Sequence, residues 1–321
     1  MEQVLKSLPK GIKDDNLIVG YESKDDAAVY KINDEVSIIE TIDFFPSMVE
    51  DPYLFGQIAA TNSLSDVWAM GGRPVMALNV AAFPDGMEPE IIGKVLKGGA
   101  EKVLEAGCTL CGGHTIVDER ALYGLSVTGI VDTKRILKNN GVKVGNKIII
   151  TKPLGIGILL TAHQCEIDTK EDYDMMIKSM TTLNKYAAEI LLKYKINALT
   201  DVTGFGLFNH LNEMLDDKAS AVLYANKIPT VNENVKKYAE DDYYTAGSVR
   251  NEDAIGDKID FGNTPEWIKI LGLDPQTSGG LICSIDKFDA DKALDELNKL
   301  DLKSTVIGEI IEKSDKAIYL K

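Results

Sequence analysis

Cysteine is scarce in this chain. Cys108, Cys111, Cys165 and Cys283 are the only four in 321 residues, too few and too scattered for a disulfide framework, which fits a reducing compartment. No stretch approaches the roughly 20 apolar residues of a membrane span. The opening Met1 to Lys6 lacks the apolar core of a signal peptide, so the expected address is cytoplasmic. Positive charge is short as well: 35 Lys and Arg face 50 Asp and Glu, leaving a net charge of −15 and a pI near 4.7. Clustered cations are what displace counterions from nucleic acid, and their shortage excludes that class of partner. An acidic chain that holds an anionic ligand against its own carboxylates needs divalent cations between them. Short repeats and low-complexity tracts are absent too.

What is present is ordinary globular material, 45% apolar and 26% charged, long enough for two domains. Val36 to Ile42 reads as a strand, and Asp51-Pro52 places a cap and a first-turn proline before a helix that runs to about Met70 and stops at Gly71-Gly72. A second helix is expected over Pro89 to Ala106, then a short strand Cys108 to Cys111 broken by Gly112-Gly113, then a buried strand Leu122 to Val131. The polar stretch 132–146, with Lys138-Asn139-Asn140-Gly141, is the predicted boundary between domains 1–132 and 133–321. Beyond it the pattern gives a strand at Lys147 to Thr151, a helix around Asp172 to Tyr194, a loop at Asp201 and a helix from Leu207 to Leu215. A loop follows at Asp274 to Gly280, then a strand Leu281 to Ile285, a helix Asp291 to Leu300 and a closing strand near Thr305 to Ile310. Alternating strands and helices predict an α/β (α+β) fold of mixed sheets flanked by helices.

Four Gly- and Asp-rich segments carry the chemistry: Lys24-Asp25-Asp26-Ala27-Ala28, Thr41-Ile42-Asp43, Ala59 to Asp66, and Thr200-Asp201-Val202-Thr203-Gly204-Phe205-Gly206. Carboxylates beside small residues suit a hard metal and a polyphosphate, because Mg²⁺ takes oxygen ligands and glycine lets backbone amides approach phosphate. At about 3.6 residues per turn, Asn62 and Asp66 stand one turn apart in the middle of the apolar face of the first helix and point inward. An inward carboxylate is costly unless it is metal-bound or paired, so the alternative to a ligand is a salt bridge to an unseen Arg or Lys. Asp43 is placed at a strand end, where ligand residues and turn residues are both common. Thr203 to Gly206 runs into a helix start, a site of exposed amides that favours anions. Asp25-Asp26 alone is weak, since acidic pairs in turns are usually solvated. Cys108 and Cys111 have CxxC spacing but no second pair, and read as buried strand residues; His114 and His163 read as structural.

Taken together these segments resemble the selenophosphate synthetase (selenide, water dikinase) family. The match runs through Ser23 to Tyr30, Thr41 to Phe45, Ala59 to Asp66, Ala69-Met70-Gly71-Gly72, Gly112-Gly113-His114-Thr115, Lys152-Pro153-Leu154-Gly155-Ile156-Gly157, Thr200 to Gly206 and Asp274-Pro275-Gln276-Thr277-Ser278-Gly279-Gly280. The resemblance implies a two-domain fold like that of aminoimidazole ribonucleotide synthetase, with the first domain giving a sheet to a homodimer. It implies an ATP-dependent phosphotransferase in which ATP, selenide and water give selenophosphate, AMP and orthophosphate. By position it implies that Asp26, Asp66 and Asp201 hold Mg²⁺ with Asn62 nearby. Ser23, Lys24, Asp25, Asp43, Asp66, Gly113, His114 and Thr115 are implied nucleotide contacts. It further implies a Gly-rich segment with a reactive cysteine or selenocysteine and a lysine, which would precede Met1, so no catalytic nucleophile is assigned here. Mg-ATP binding with little selenophosphate formation is the expectation on that ground. The rivals are another ATP enzyme of the superfamily, of thiamine-monophosphate kinase or aminoimidazole ribonucleotide synthetase type, and a non-catalytic nucleotide-binding regulator.

Overall fold

The computed structural model describes residues 14–321; the reading of Met1 to Lys6 lies outside the described residues. Three antiparallel strands open the first domain: β1 (Leu17–Val19), β2 (Ala28–Lys31) and β3 (Val36–Pro46). Asp51 then caps α1 (Pro52–Ala69), its carboxylate accepting from the amides of Tyr53 and Leu54 with Pro52 at the first helical position. Next come β4 (Arg73–Phe83), α2 (Pro89–Glu105), β5 (Thr109–Val117) and β6 (Leu122–Asp132). The six strands lie in the order β1-β2-β3-β6-β4-β5, antiparallel except for the β4–β5 pair.

After the connection come β7 (Lys147–Ile150), α3 (Ile156–Gln164), α4 (Lys170–Thr181), α5 (Lys185–Leu191) and β8 (Ile196–Asp201). They are followed by α6 (Gly206–Leu215), β9 (Ala219–Leu223), α7 (Asn234–Glu240), α8 (Ala246–Ile255), β10 (Ile259–Asp260) and α9 (Glu266–Leu273). The chain ends through β11 (Leu281–Ile285), α10 (Ala290–Leu297), β12 (Thr305–Glu312) and β13 (Ile318–Leu320). The second sheet is mixed, in the order β10-β13-β9-β12-β7-β11-β8.

Several expectations are corrected. The first long strand continues to Pro46, so Asp43 lies inside it and not at its end. β5 runs unbroken through Gly112-Gly113: a Cβ on Gly113 would sit 2.3 Å from the Asn79 carbonyl oxygen, so the glycine admits β4 beside it, and the ladder shifts register there. Cys111 on that strand is exposed, against the buried reading, while Cys108 is buried. The single helix expected over 172–194 is two, parted at Thr182 to Asn184. Asp201 ends a strand and does not begin in a loop, and the strand at 305–312 is followed by one more.

The helix α1 positions everything that follows. From Phe55 to Ala69 all but Gln57 are buried, so the helix is enclosed on all sides and not merely on one face. One side lies on the first sheet and α2; the other meets the second domain, where Ser278 donates its amide to Asn62 Oδ1 at 3.0 Å and its hydroxyl to the Ile58 carbonyl at 3.1 Å. Where α1 and α2 cross, Gly56 and Gly98 put backbone on backbone.

Candidate active site

Asp43, Asn62 and Asp66 meet where β3 faces α1. Asn62 donates its Nδ2 to Asp43 Oδ2 at 2.7 Å, and Thr41 Oγ1 donates to Asp66 Oδ2 at 2.5 Å. Asn62 and Asp66 are 7% and 8% exposed, so the inward placement read from helical spacing holds. Asp66 has no Lys or Arg partner among the described residues, so none of them supports the salt-bridge alternative. From the loop before β2, Asp26 accepts from Thr200 Oγ1 at 2.7 Å, a bond that crosses from one domain to the other. Asp201 closes β8 beside the Gly279-Gly280 turn, with Ser65 near enough to help hold its carboxyl down.

Burial, with Asp201 nearby, pushes Asp26 well above the ordinary carboxylate range. Burial and the charges of Asp201, Asp43 and Asp26 do the same to Asp66, and burial raises Asp201 to about 6. Three carboxylate oxygens here, Asp25 Oδ2, Asp26 Oδ2 and Asp201 Oδ2, are buried with no partner among the described residues. Orphaned buried oxygens and mutual repulsion are what a site built for cations shows before a cation binds. Among the described residues no three His, Cys, Asp or Glu side chains converge tightly enough to enclose one ion by themselves.

Asp25 is fixed by the Asn139 amide at 2.8 Å and, with Asp26 and Thr41, lines a cleft of about 390 Å³ that opens past Glu40, Ile42 and Ser126. Ser23 and Lys24 instead line a polar cleft of about 240 Å³ with Glu213, Asp216 and Lys258. Gly113, His114 and Thr115 stand apart. Register aligns Asp43 with Leu125, Asn79 and Gly113, three strand spacings of about 4.8 Å each. His114 shares its row with Val80, Gly124 and Phe44, the exposed face of the sheet and opposite to that of Asp43. Within one chain these three residues therefore do not reach the carboxylates: three strand spacings separate Gly113 and Thr115 from β3, and alternation also turns His114 to the other face.

The glycine loop at the start of α3 and the one before α6, expected to offer amides, are both already engaged. Asp274 Oδ2 accepts from the Gly157 and Ile158 amides at 2.9 and 3.3 Å, and Gln276 Oε1 from those of Gly155 and Ile156 at 3.1 and 3.2 Å. The start of α3 is thus filled by the 274–280 loop. The Thr203 amide donates to Nε2 of buried His210 at 3.1 Å; burial holds that imidazole down to about 4, neutral and able to accept. Sequence reasoning gave Asn251 no role, yet its Nδ2 bonds the carbonyls of Gly204 at 3.0 Å and Leu273 at 2.9 Å, tying the loop after Asp201 to α9.

Burial raises Asp274 to about 7, with three donors on Oδ2 only partly opposing it. Between its unfolded value near 4 and that folded value, the folded chain binds the extra proton, so stability is full below about pH 4 and falls as pH rises through the window. Asp274→Asn is expected to flatten that part of the pH–Tm curve; a curve parallel to the parent's from pH 4 to 7 would contradict it.

Residues 24–131 match the AIR synthase related protein N-terminal domain, and residues 143–321 match the corresponding C-terminal domain. A selenide, water dikinase of Agathobacter rectalis is 44% identical over the whole of this chain and 94% of its own length. One from Treponema denticola is 46% identical over 95% of this chain and 87% of that protein. Among solved structures, a thiamine-monophosphate kinase from Stenotrophomonas maltophilia aligns with TM-score 0.69 at 18% identity, covering 96% of this chain and 92% of that one. The hydrogenase maturation protein HypE in complex with ATP aligns with TM-score 0.67 at 17% identity, covering 96% and 87%. At such identities these two likenesses speak for the fold alone.

Proposed function

Because the chain belongs to the selenide, water dikinase family of the AIR synthase-related proteins, it is an ATP-dependent phosphotransferase, and we propose that the carboxylates between its domains hold Mg²⁺ and the nucleotide's phosphates while selenide becomes selenophosphate. The overall conversion takes ATP, selenide and water to selenophosphate, AMP and orthophosphate. The observation that carries the site is the convergence of Asp26, Asp66 and Asp201 from both domains, two of them with an unpartnered buried oxygen.

The donor set fits Mg²⁺, which commonly takes one or two carboxylates and completes its shell with phosphate oxygens and water. Asp26, Asp66 and Asp201 would hold it, and a divalent cation there offsets charge on the triphosphate and on the leaving oxygen. The chain's own part is orientation. Thr41 fixes Asp66, Thr200 fixes Asp26 and Asn62 fixes Asp43, so each carboxylate is held before ligand arrives and little ordering is left to the reaction. Asp25, lining the cleft of about 390 Å³, is placed to face the nucleotide. Ser23 and Lys24 remain proposed contacts from the adjoining cleft.

We also infer a homodimer. Ile42 and Phe44 on β3 are 57% and 50% exposed, and Met76, Leu78 and Ile116 extend the same apolar face across the sheet. The cleft reaches this face at Ile42 and Ser126, so a second copy seated on it would bring its own Gly113, His114 and Thr115 to the cleft mouth. Phe44→Lys is expected to shift the light-scattering mass to that of a single chain; a monomeric parent would remove the dimer. No helix among the described residues is long and apolar enough to cross a membrane, and the four cysteines are free, which supports a cytoplasmic setting.

The deciding experiment is an anaerobic ³¹P NMR time course with Mg-ATP and selenide. Selenophosphate and AMP growing together is the result that membership of the family predicts, in place of the low yield expected from the sequence alone. ATP that persists, or that becomes ADP with no phosphorus–selenium species, would count against the reading.

A further inference from the structure

The break between α4 and α5 carries a side chain that the reaction above does not use. Asn184 is 2% exposed there, and its Nδ2 lies 2.8 Å from both the Gly279 carbonyl oxygen and Ser65 Oγ. A carbonyl oxygen only accepts, so the amide nitrogen, and not the amide oxygen, faces Gly279. The same nitrogen gives its second proton to Ser65, which leaves the Ser65 hydroxyl proton for another acceptor. Beside it stands Asp201, whose carboxyl Ser65 helps to hold down and which pairs in register with Leu281, next to the Gly279-Gly280 turn that Asn184 also holds. Asp201 Oδ2 is buried without a partner. Asn184 Oδ1 is itself buried and unpartnered. An apolar residue of similar volume would avoid that desolvation, so the amide is set here by the two bonds it directs.

We propose that Asn184 is a positioning residue for the metal centre: by clamping Ser65, the neighbour of Asp66, onto the turn beside Asp201 across the domain boundary, it holds the two carboxylates in place for a divalent cation. The proposal rests on Asp201 being a cation ligand. It assigns Asn184 no contact with substrate. Outer-shell partners of metal ligands change affinity by about 10–100-fold when lost, and residues acting through one chain of bonds do not add.

The test is Mn²⁺ binding, followed by electron paramagnetic resonance, to the full chain with a non-hydrolysable ATP analogue. Asn184→Leu and Ser65→Ala are each expected to weaken Mn²⁺ binding about 10-fold. The double variant should be no weaker than either alone, and Ser65→Thr, which keeps the hydroxyl, should bind as the parent does. Asp201→Ala reports on the underlying ligand assignment. If Asp201→Ala loses Mn²⁺ while Ser65→Ala and Asn184→Leu bind like the parent, or their effects add, the positioning role is overturned and the metal centre stands. If Asp201→Ala binds like the parent, both fall. Should Asn184→Leu fail to fold, Ser65→Ala against Ser65→Thr decides.

Discussion

An Asp66→Ala chain is expected to fold, to melt no lower than the parent in metal-free buffer at neutral pH, and to consume ATP at least about 100-fold more slowly. The combination follows from one fact about the side chain. Burial and the nearby charges of Asp201, Asp43 and Asp26 push its pKa well upward, so in the absence of cations the carboxylate is a source of strain and not of stability. Alanine relieves that repulsion at the cost of one hydrogen bond from Thr41, about 1 kcal/mol. Binding should change in the opposite sense. Mg-ATP, which stabilises the parent by mass action, should raise the variant's Tm much less. Parallel measurements of ATP turnover and of Tm with and without Mg-ATP check both halves. Parental turnover in the variant would remove Asp66 from the site.

The largest stability effect is expected at a position outside the carboxylate site. Gly98→Ala should cost about 3 kcal/mol or more, read from urea midpoints. A Cβ on Gly98 would lie 2.1 Å from the Tyr53 carbonyl oxygen and one on Gly56 would lie 1.9 Å from that of Val95, so neither helix can retreat without dragging its backbone off the other. Helix propensity alone argues the reverse, since alanine is better than glycine by about 1 kcal/mol inside a helix. The same helix supplies a control. Gly93 has open space around its missing Cβ, and Gly93→Ala should be neutral or stabilising. A Gly98→Ala midpoint at or above that of Gly93→Ala would refute the close approach. Because α1 carries Asn62 and Asp66, the Gly98 variant should lose activity along with stability.

Elements whose signals are local were legible in the sequence. Asp51-Pro52 announced the start of α1 and helical spacing turned Asn62 and Asp66 inward, because cap and period are set by neighbouring residues. The break at Thr182 to Asn184 was not legible, since no glycine or proline marks it. It is held by bonds from Asn184 to Ser65 and Gly279, partners roughly a hundred residues away on either side. The same holds at the start of α3, whose amides are covered by Gln276 and Asp274, 120 and 117 residues further along the chain. His114 shows a third kind of failure. Its motif was recognisable, but the strand alternation that turns it away from Asp43 depends on a register fixed only by pairing with β4.

The enclosure of α1 by both domains also has a consequence in time. Asn62 leaves the ribosome 216 residues ahead of Ser278, the residue that closes over it. At about 5–20 residues per second the nascent helix waits on the order of 10–40 s for that cover. During the wait its uncovered side presents Asn62, Ser65 and Asp66, groups that water solvates well, so an unfinished chain offers few apolar contacts there to its neighbours. The polarity that serves the finished centre thus also protects the protein while it is being made.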